Sequence, residues 1–147
     1  MNKVVLDSCV FSKLFLQEPD HQEAVELITE LSQRNIKVLV PSLFLYEVLS
    51  IAAASSFPIK KVYALITQYR SANLEIVELD EKTILKAIDI CVHGHEKSGF
   101  PSFYDASYHA LAINNECQFI TADKRHVAKT KIFGHVILLS DWKNIFK

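Results

Sequence analysis

Glycine and proline are scarce in this chain, which has three glycines and four prolines among 147 residues. Disordered linkers, collagen-like repeats and low-complexity segments are rich in these residues, so the composition excludes all three. No apolar run approaches the roughly 18 residues of a membrane span, and Asp7 interrupts the first apolar run before it reaches the length of a signal peptide. We therefore expect one compact domain, residues 1–147, without a membrane contact.

The chain also has few cysteines and almost no net charge. The three cysteines have no CxxC or Cys/His ligand spacing, so the sequence predicts neither a disulfide framework nor a zinc ribbon, and a reducing cytoplasm fits best. Sixteen basic and seventeen acidic residues give a net charge of −1, so the protein has no global positive field. Any contact with nucleic acid must use a local basic patch.

Short apolar runs alternate with amphipathic stretches along the whole chain. Strands are predicted at residues 4–6, 38–40, 74–79, 118–121 and 136–139. Helices are predicted at about 21–34, 42–71 with a break near Pro58, 81–93 and 104–115, with Ser42 and Asp80 as N-caps. Such alternation is typical of a three-layer α/β domain around a five-stranded parallel sheet.

Acidic residues stand near the strand ends, where an α/β fold places its sites. Asp7 directly follows the first strand, and Glu47 comes one or two turns into the helix after the second. Asp105 opens the fourth helical stretch, and Asp123 lies two residues after the fourth strand. Each also has a structural interpretation. Asp7 is placed to cap a helix, Asp123 to cap a short turn, and Glu47 to lie on a helix surface. Asp105 is placed to form a capping box with Ser102 as the N-cap.

Convergence of these four carboxylates would require a compensating charge. Two like charges about 4 Å apart cost on the order of 4 kcal/mol at an effective dielectric constant of about 20, whereas a domain is stable by only about 5 to 15 kcal/mol. Oxygen ligands select hard cations, so the expected ion is Mg2+ or Mn2+. One or two such ions would orient and deprotonate a water for in-line attack on a phosphodiester.

Four sequence blocks resemble the acidic motifs of PIN-domain nucleases. They are VVLDSCV at 4–10, the helix around Glu47, SFYDASYHALA at 102–112 and FITADKR at 119–125. The last two blocks, with their spacing, are most similar to VapC-type toxins of type II toxin-antitoxin modules. The resemblance runs from about residue 3 to about residue 142, which is nearly the whole chain.

This resemblance implies a three-layer α/β/α PIN-like fold with strand order 3-2-1-4-5 and a Mg2+- or Mn2+-dependent endoribonuclease. It implies that Asp7, Asp105 and Asp123 are catalytic metal ligands, with Glu47 acting directly or through metal-bound water. It also implies an RNA substrate, a homodimer and a cognate antitoxin that inserts a segment into the active-site groove.

Cys9 departs from the first motif, where many relatives carry Ser, Thr or Asn. A thiol is a weaker hydrogen-bond partner, so either activity is reduced or Ser8 contributes instead. A catalytically weak or inactive PIN-like module that binds RNA or a partner therefore stays an alternative. Thr121 keeps the hydroxyl that supports the fourth motif. A phospho-acceptor signalling domain is disfavoured, because Ser8 follows Asp7 where that design needs a second acid.

Basic residues follow Asp123 directly. Residues 124–131 include four Lys or Arg residues and one His, and no acid. This is the local patch that the net charge requires. We expect Lys124 and Arg125 to contact substrate phosphates, since they lie beside the predicted metal site. A solvated loop is the structural alternative. The same contacts would also serve DNA or a structured RNA, because phosphates carry no sequence information.

Three aromatic residues and one histidine have two interpretations each. Phe11, Phe103 and Tyr104 are either core residues or surfaces on which unpaired bases stack. His109 stands four residues after Asp105 on the same helix face, so it either packs in the core or supports the metal site.

Overall fold

Five strands and seven α-helices alternate in the computed structural model, which describes all 147 residues. The strands are β1 (Lys3–Leu6), β2 (Lys37–Pro41), β3 (Leu74–Val77), β4 (Phe119–Thr121) and β5 (Val136–Leu138). The helices are α1 (Ser8–Ser12), α2 (His21–Gln33), α3 (Leu43–Ala54), α4 (Ile59–Ala72), α5 (Glu81–Val92), α6 (Phe103–Asn114) and α7 (Lys124–Thr130). Two 3-10 helices follow, at Lys131–Phe133 and Leu139–Phe146.

The strands form one parallel sheet in the order β3-β2-β1-β4-β5. Parallel crossovers are right-handed, so the run from β1 through β2 to β3 lays α1 to α4 on one face of the sheet. The return from β3 to β4, and then to β5, lays α5, α6 and α7 on the other face. The predicted three-layer architecture and strand order are confirmed.

The core lies on both faces of the central strand. Val4, Val5 and Leu6 of β1 are all buried, as expected for a strand covered by helices on each side. They belong to one apolar cluster of 27 buried residues that also takes in α2, α3, α4 and the second half of α6. None of the helices has the length and apolar character that a membrane-crossing segment needs.

The observed strand bounds lie within two residues of the predicted ones. Strand β3 ends at Val77 rather than at residue 79, because its partner strand β2 ends at Pro41, opposite Val77, and the chain turns into α3 at the next residue. Asp80 caps α5 as predicted, accepting from the Thr83 N–H at 2.8 Å. Ser42 precedes α3 but makes no side-chain cap, since its backbone is already helical (φ −58°, ψ −28°).

The topology places one crevice at the carboxyl ends of β1 and β4. The chain leaves β1 toward β2 on one side, whereas β4, on the other side of β1, continues to β5 in the opposite direction. Such a divergence of neighbouring strands opens a groove beyond their carboxyl ends. Asp7 follows β1, and Asp123 lies two residues after β4, so both acids stand at this groove.

Candidate active site

Asp7 is the most buried of the four acids, with 6% of its surface exposed. It caps α1 by accepting from the Cys9 N–H, at 3.4 Å from Oδ1, and its Oδ2 accepts from the Thr121 hydroxyl at 2.7 Å. Burial raises the pKa of this carboxyl to about 6, the Thr121 hydrogen bond opposes the rise, and the charge of Asp105 adds to it. The expected capping role of Asp7 is therefore confirmed, and the same carboxyl group lies near a second acid.

Glu47 is held by two hydroxyl groups. Its Oε1 accepts from Tyr108 Oη at 2.6 Å, and Ser8 Oγ lies 3.3 Å away. Ser8 Oγ is also 3.4 Å from Asp7 Oδ1, so its single proton serves one of the two carboxylates at a time. Burial raises the pKa of Glu47, the two hydroxyls lower it, and the charge of Asp105 raises it. Glu47 is thus part of the same site and not a solvated helix charge.

Asp105 lies in the first turn of α6, which Ser102 caps by accepting from the Asp105 N–H at 3.1 Å. Burial raises the pKa of Asp105, and the charge of Asp123 raises it further, whereas Ser102 and Lys129 lower it. Three of the four acids therefore feel the charge of another member of the set. This mutual effect shows that the four carboxylates lie near one another, and we call the region that they occupy, at the carboxyl ends of β1 and β4, the acidic edge.

Asp123 is fixed by the start of α7. Its Oδ1 accepts from the N–H groups of Arg125 at 2.9 Å and His126 at 3.1 Å, and its own N–H donates to Thr121 Oγ at 3.0 Å. The Thr121 hydroxyl thus donates to the Asp7 carboxylate and accepts from the backbone N–H of Asp123, so one side chain connects the two acidic residues. The expected capping role of Asp123 is confirmed. Both capping hydrogen bonds end on Oδ1, so Oδ2 takes no part in the cap.

Cys9 lies on the rim of this network. Its Sγ is 4.0 Å from Thr121 Oγ1, and burial raises the pKa of the thiol, which keeps it protonated at neutral pH. Ser8 and Thr121 supply the hydroxyl groups that Asp7 needs. The departure at Cys9 consequently leaves the hydrogen bonding of the first acid intact.

Lys124 and Arg125 are exposed on the first turn of α7 and form no ion pair within the protein. Cations at a helix N-terminus face the positive end of the helix dipole, which is unfavourable for folding. The structure thus gives these two cations no stabilising partner, and their contact with substrate phosphates stays a prediction.

The three aromatic residues divide between core and surface. Phe11 is only 2% exposed and packs edge-on against Phe44, with ring centroids 5.3 Å apart, so it is a core residue. Phe103 and Tyr104 are 44% and 64% exposed and immediately precede Asp105. They remain available to a ligand at the acidic edge.

Tyr108 was not predicted as a site residue. It is fully buried and would be assigned to the core by its apolar neighbours, yet its hydroxyl makes the shortest contact of the site, with Glu47. The signal in the sequence is spacing, since Tyr108 follows Asp105 by three residues and so shares its side of α6. His109 contacts His126 and the Gly134 carbonyl instead of any of the acids.

The residues at this edge fit a hard divalent cation by their chemistry. All the donors are oxygens, and the charge of a neighbouring acid adds to the burial that raises the pKa values of Asp7, Glu47 and Asp105. No three His, Cys, Asp or Glu side chains stand close enough together to hold one ion as they are placed. Binding would therefore require the carboxylates to rotate toward each other. A separate surface groove near Met1, Gln118 and Val136 lies at the amino ends of β1, β4 and β5, away from these acids.

The sequence matches one family model, that of the PIN domain, over residues 4–132. No curated protein matches the chain by sequence. Similar solved structures include a DNA-bound VapBC from Salmonella typhimurium (18% identity, 95% of this chain and 99% of that chain, TM-score 0.68). VapBC2 from Rickettsia felis, bound to a DNA fragment from its promoter, has 17% identity over 92% of this chain and 96% of that chain, with a TM-score of 0.67.

A third similar structure is VapC20 from Mycobacterium tuberculosis, described as a toxin that cleaves the sarcin-ricin loop. It has 17% identity over 85% of this chain and 93% of that chain, with a TM-score of 0.65. At these identities the likeness is one of fold.

Proposed function

Because this chain belongs to the PIN-domain family, we propose that it is a Mg2+- or Mn2+-dependent endoribonuclease and the toxin of a toxin-antitoxin pair. The observation that carries the proposal is the acidic edge at the carboxyl ends of β1 and β4. There the Ser8 hydroxyl lies within hydrogen-bond distance of both Asp7 and Glu47, and Thr121 links Asp7 to the backbone of Asp123. A structural role alone gives no reason to gather uncompensated carboxylates. Cation binding gives such a reason, because the ion compensates their negative charge.

In this proposal Asp7, Asp105 and Asp123 hold the ion. A bound Mg2+ or Mn2+ would make water a stronger nucleophile and neutralise charge on the phosphodiester. Glu47 presents Oε2, since Oε1 is engaged by Tyr108 and Ser8. Its raised pKa suits it to take the proton of the attacking water. Water attack leaves a 5'-phosphate and a 3'-hydroxyl.

The substrate surface extends from the acids in two directions. Lys124 and Arg125 provide unpaired cations for phosphates, and Phe103 and Tyr104 provide exposed rings for bases. Rings stack on bases only where these are unpaired, so single-stranded RNA fits this surface better than a duplex.

The proposed partners are a second copy of the chain and a cognate antitoxin. Ile84, Ile88 and Val92 form an exposed apolar stripe at helical spacing on α5, which suits self-association about a twofold axis. Two of the similar structures are DNA-bound VapBC proteins, and another is a toxin-antitoxin complex from Klebsiella pneumoniae. These relatives support an antitoxin as the partner. A cytoplasmic location follows from such a role.

An inactive binding module is the second candidate, and Cys9 is the only residue that favours it. The hydrogen bond from Thr121 to Asp7 argues for the active form, because it orients the first acid whether or not the thiol contributes.

The test is cleavage of single-stranded RNA by the purified chain in Mg2+ or Mn2+, with EDTA as the blank. We expect metal-dependent cleavage with 5'-phosphate ends, loss of activity in Asp105→Asn, and normal activity in Asp141→Asn, which changes an acid outside this edge. Equal cleavage by wild type and Asp7→Ala would refute the proposal. RNA binding without turnover at any concentration of either ion would favour the inactive module.

A further inference from the structure

Two buried histidines, His109 and His126, form a hydrogen-bonded chain that the proposed reaction does not use. His109 Nε2 lies 2.7 Å from the Gly134 carbonyl oxygen, and His109 Nδ1 lies 3.1 Å from His126 Nε2. A carbonyl can only accept, so Nε2 of His109 carries its proton and Nδ1 is bare in the neutral ring. His126 must therefore donate through Nε2, and its own Nδ1 is bare as well.

This chain connects the two segments that carry Asp105 and Asp123. His109 stands one helical turn after Asp105 on the same side of α6. The backbone N–H of His126 donates to Asp123 Oδ1 at 3.1 Å, while its ring donates to His109. The far end of the chain is Gly134, just before β5. Helix α6, the start of α7 and the β5 turn are thus tied together by directional bonds.

The arrangement leaves one polar atom unsatisfied. His126 is 2% exposed, and its Nδ1 has no hydrogen-bond partner. The surroundings of the pair are aromatic, with the Phe119 ring centroid 5.6 Å from that of His126 and the Phe133 centroid 6.3 Å from that of His109. Two apolar side chains would fill this space without burying a bare nitrogen, so packing alone does not account for the pair.

We propose that His109 and His126 are positioning residues that fix the separation of Asp105 and Asp123 for divalent-cation binding. A hydrogen bond between rings sets both distance and angle, which apolar packing does not, and exclusion of water strengthens it. The inference rests on the proposed metal site, and it adds that the site depends on a contact outside the acids.

The experiment measures Mn2+ affinity by the electron paramagnetic resonance signal of free Mn2+ in titrations of the full chain. His126→Leu removes the donor and keeps the bulk, whereas His126→Gln keeps an N–H donor at the position of Nε2. We expect His126→Leu to weaken Mn2+ binding by roughly tenfold to a hundredfold, and His126→Gln to recover most of that loss. Ile66→Val, a buried change in α4 on the other face of the sheet, controls for general destabilisation and should bind Mn2+ as wild type does.

Equal weakening in the Leu and Gln variants, or none in either, would overturn the inference and leave the metal site standing. Failure of the wild type to bind Mn2+ would remove the metal site and the inference with it. The 15N nuclear magnetic resonance spectrum of the wild-type imidazoles is independent of whether a variant folds. We expect both rings to carry the proton on Nε2 and a bare Nδ1, and a proton on Nδ1 of His109 would contradict the chain.

Discussion

Removing the negative charge of Asp7 is expected to stabilise the cation-free protein at neutral pH. A pKa raised from 3.8 to about 6 means that the ionised form costs about 3 kcal/mol of folding free energy. Asp7→Asn avoids this cost but gives up one acceptor toward Ser8 or Cys9, worth about 1 kcal/mol. The net gain of about 2 kcal/mol corresponds to a rise in Tm of roughly 4 to 8 °C for a domain of this size.

The assay is thermal unfolding in EDTA at pH 7.5, repeated at lower pH. The folded carboxyl binds a proton between its folded pKa of about 6 and its ordinary value of 3.8, so the wild type recovers stability as the pH falls through this window. The advantage of Asp7→Asn should therefore shrink from pH 6 to pH 4. Saturating Mn2+ should reverse it, since only the wild type gains binding energy.

A matched control is Asp80→Asn. Asp80 also caps a helix, but its pKa is lowered by the Thr83 hydrogen bonds, so its charge does not oppose folding. We expect this variant to gain no stability in EDTA. An Asp7→Asn protein no more stable than wild type at pH 7.5 without a cation would refute the reasoning that the acidic edge is uncompensated.

Three further outcomes are expected. Tyr108→Phe should lower kcat for RNA cleavage roughly tenfold, with little change in KM, since a hydrogen bond to a charged group is lost. The control Tyr69→Phe should leave kcat unchanged, and an unchanged kcat in Tyr108→Phe would contradict the role of the contact. Tyr104→Ala should raise KM for single-stranded RNA roughly tenfold through lost stacking, and Mn2+ affinity should not change; an unaltered KM would count against base stacking. Burial lowers the pKa of His109 and His126 to about 4, so between pH 6.5 and pH 4 the unfolded chain binds more protons than the folded protein. Urea titrations of the Asp7→Asn protein in EDTA should therefore show the free energy of unfolding falling as the pH is lowered through this range. A flat profile would argue against neutral buried rings.

Local chemistry made the helices and strands of this chain predictable. Asp80 caps α5 because a short carboxylate before an amphipathic run meets the free N–H of Thr83. Pro58 separates α3 from α4 because it has no N–H and cannot continue a helix. The end of β3 was not predictable from its own residues, since it depends on the pairing of Val77 with Pro41, which only the sheet register brings together.

The acidic edge was predictable because parallel strands bring their carboxyl ends to one side of the sheet. Asp7 and Asp123 needed only their positions after β1 and β4. The strand order came from the family resemblance and not from the pattern of elements, which fits several orders. Glu47 stands out by its charge on an apolar helix, but its hydrogen bond to Tyr108, 61 residues further along the chain, has no local signal.

The histidine pair shows a second limit of sequence reasoning. The position of His109, one turn after Asp105, is compatible with support of the metal site, yet its ring contacts His126 and the Gly134 carbonyl. A helix face narrows the direction of a side chain, but its partners depend on how α7 and the β5 turn pack on α6.

The central claim is that Asp7, Asp105 and Asp123 bind one or two divalent cations together at the carboxyl ends of β1 and β4. Anomalous X-ray scattering from crystals grown with Mn2+ tests it most directly. We predict a peak bounded by these three carboxylates, with Glu47 in direct contact or one water away. A peak elsewhere on the protein, or none here at saturating Mn2+, would contradict the account.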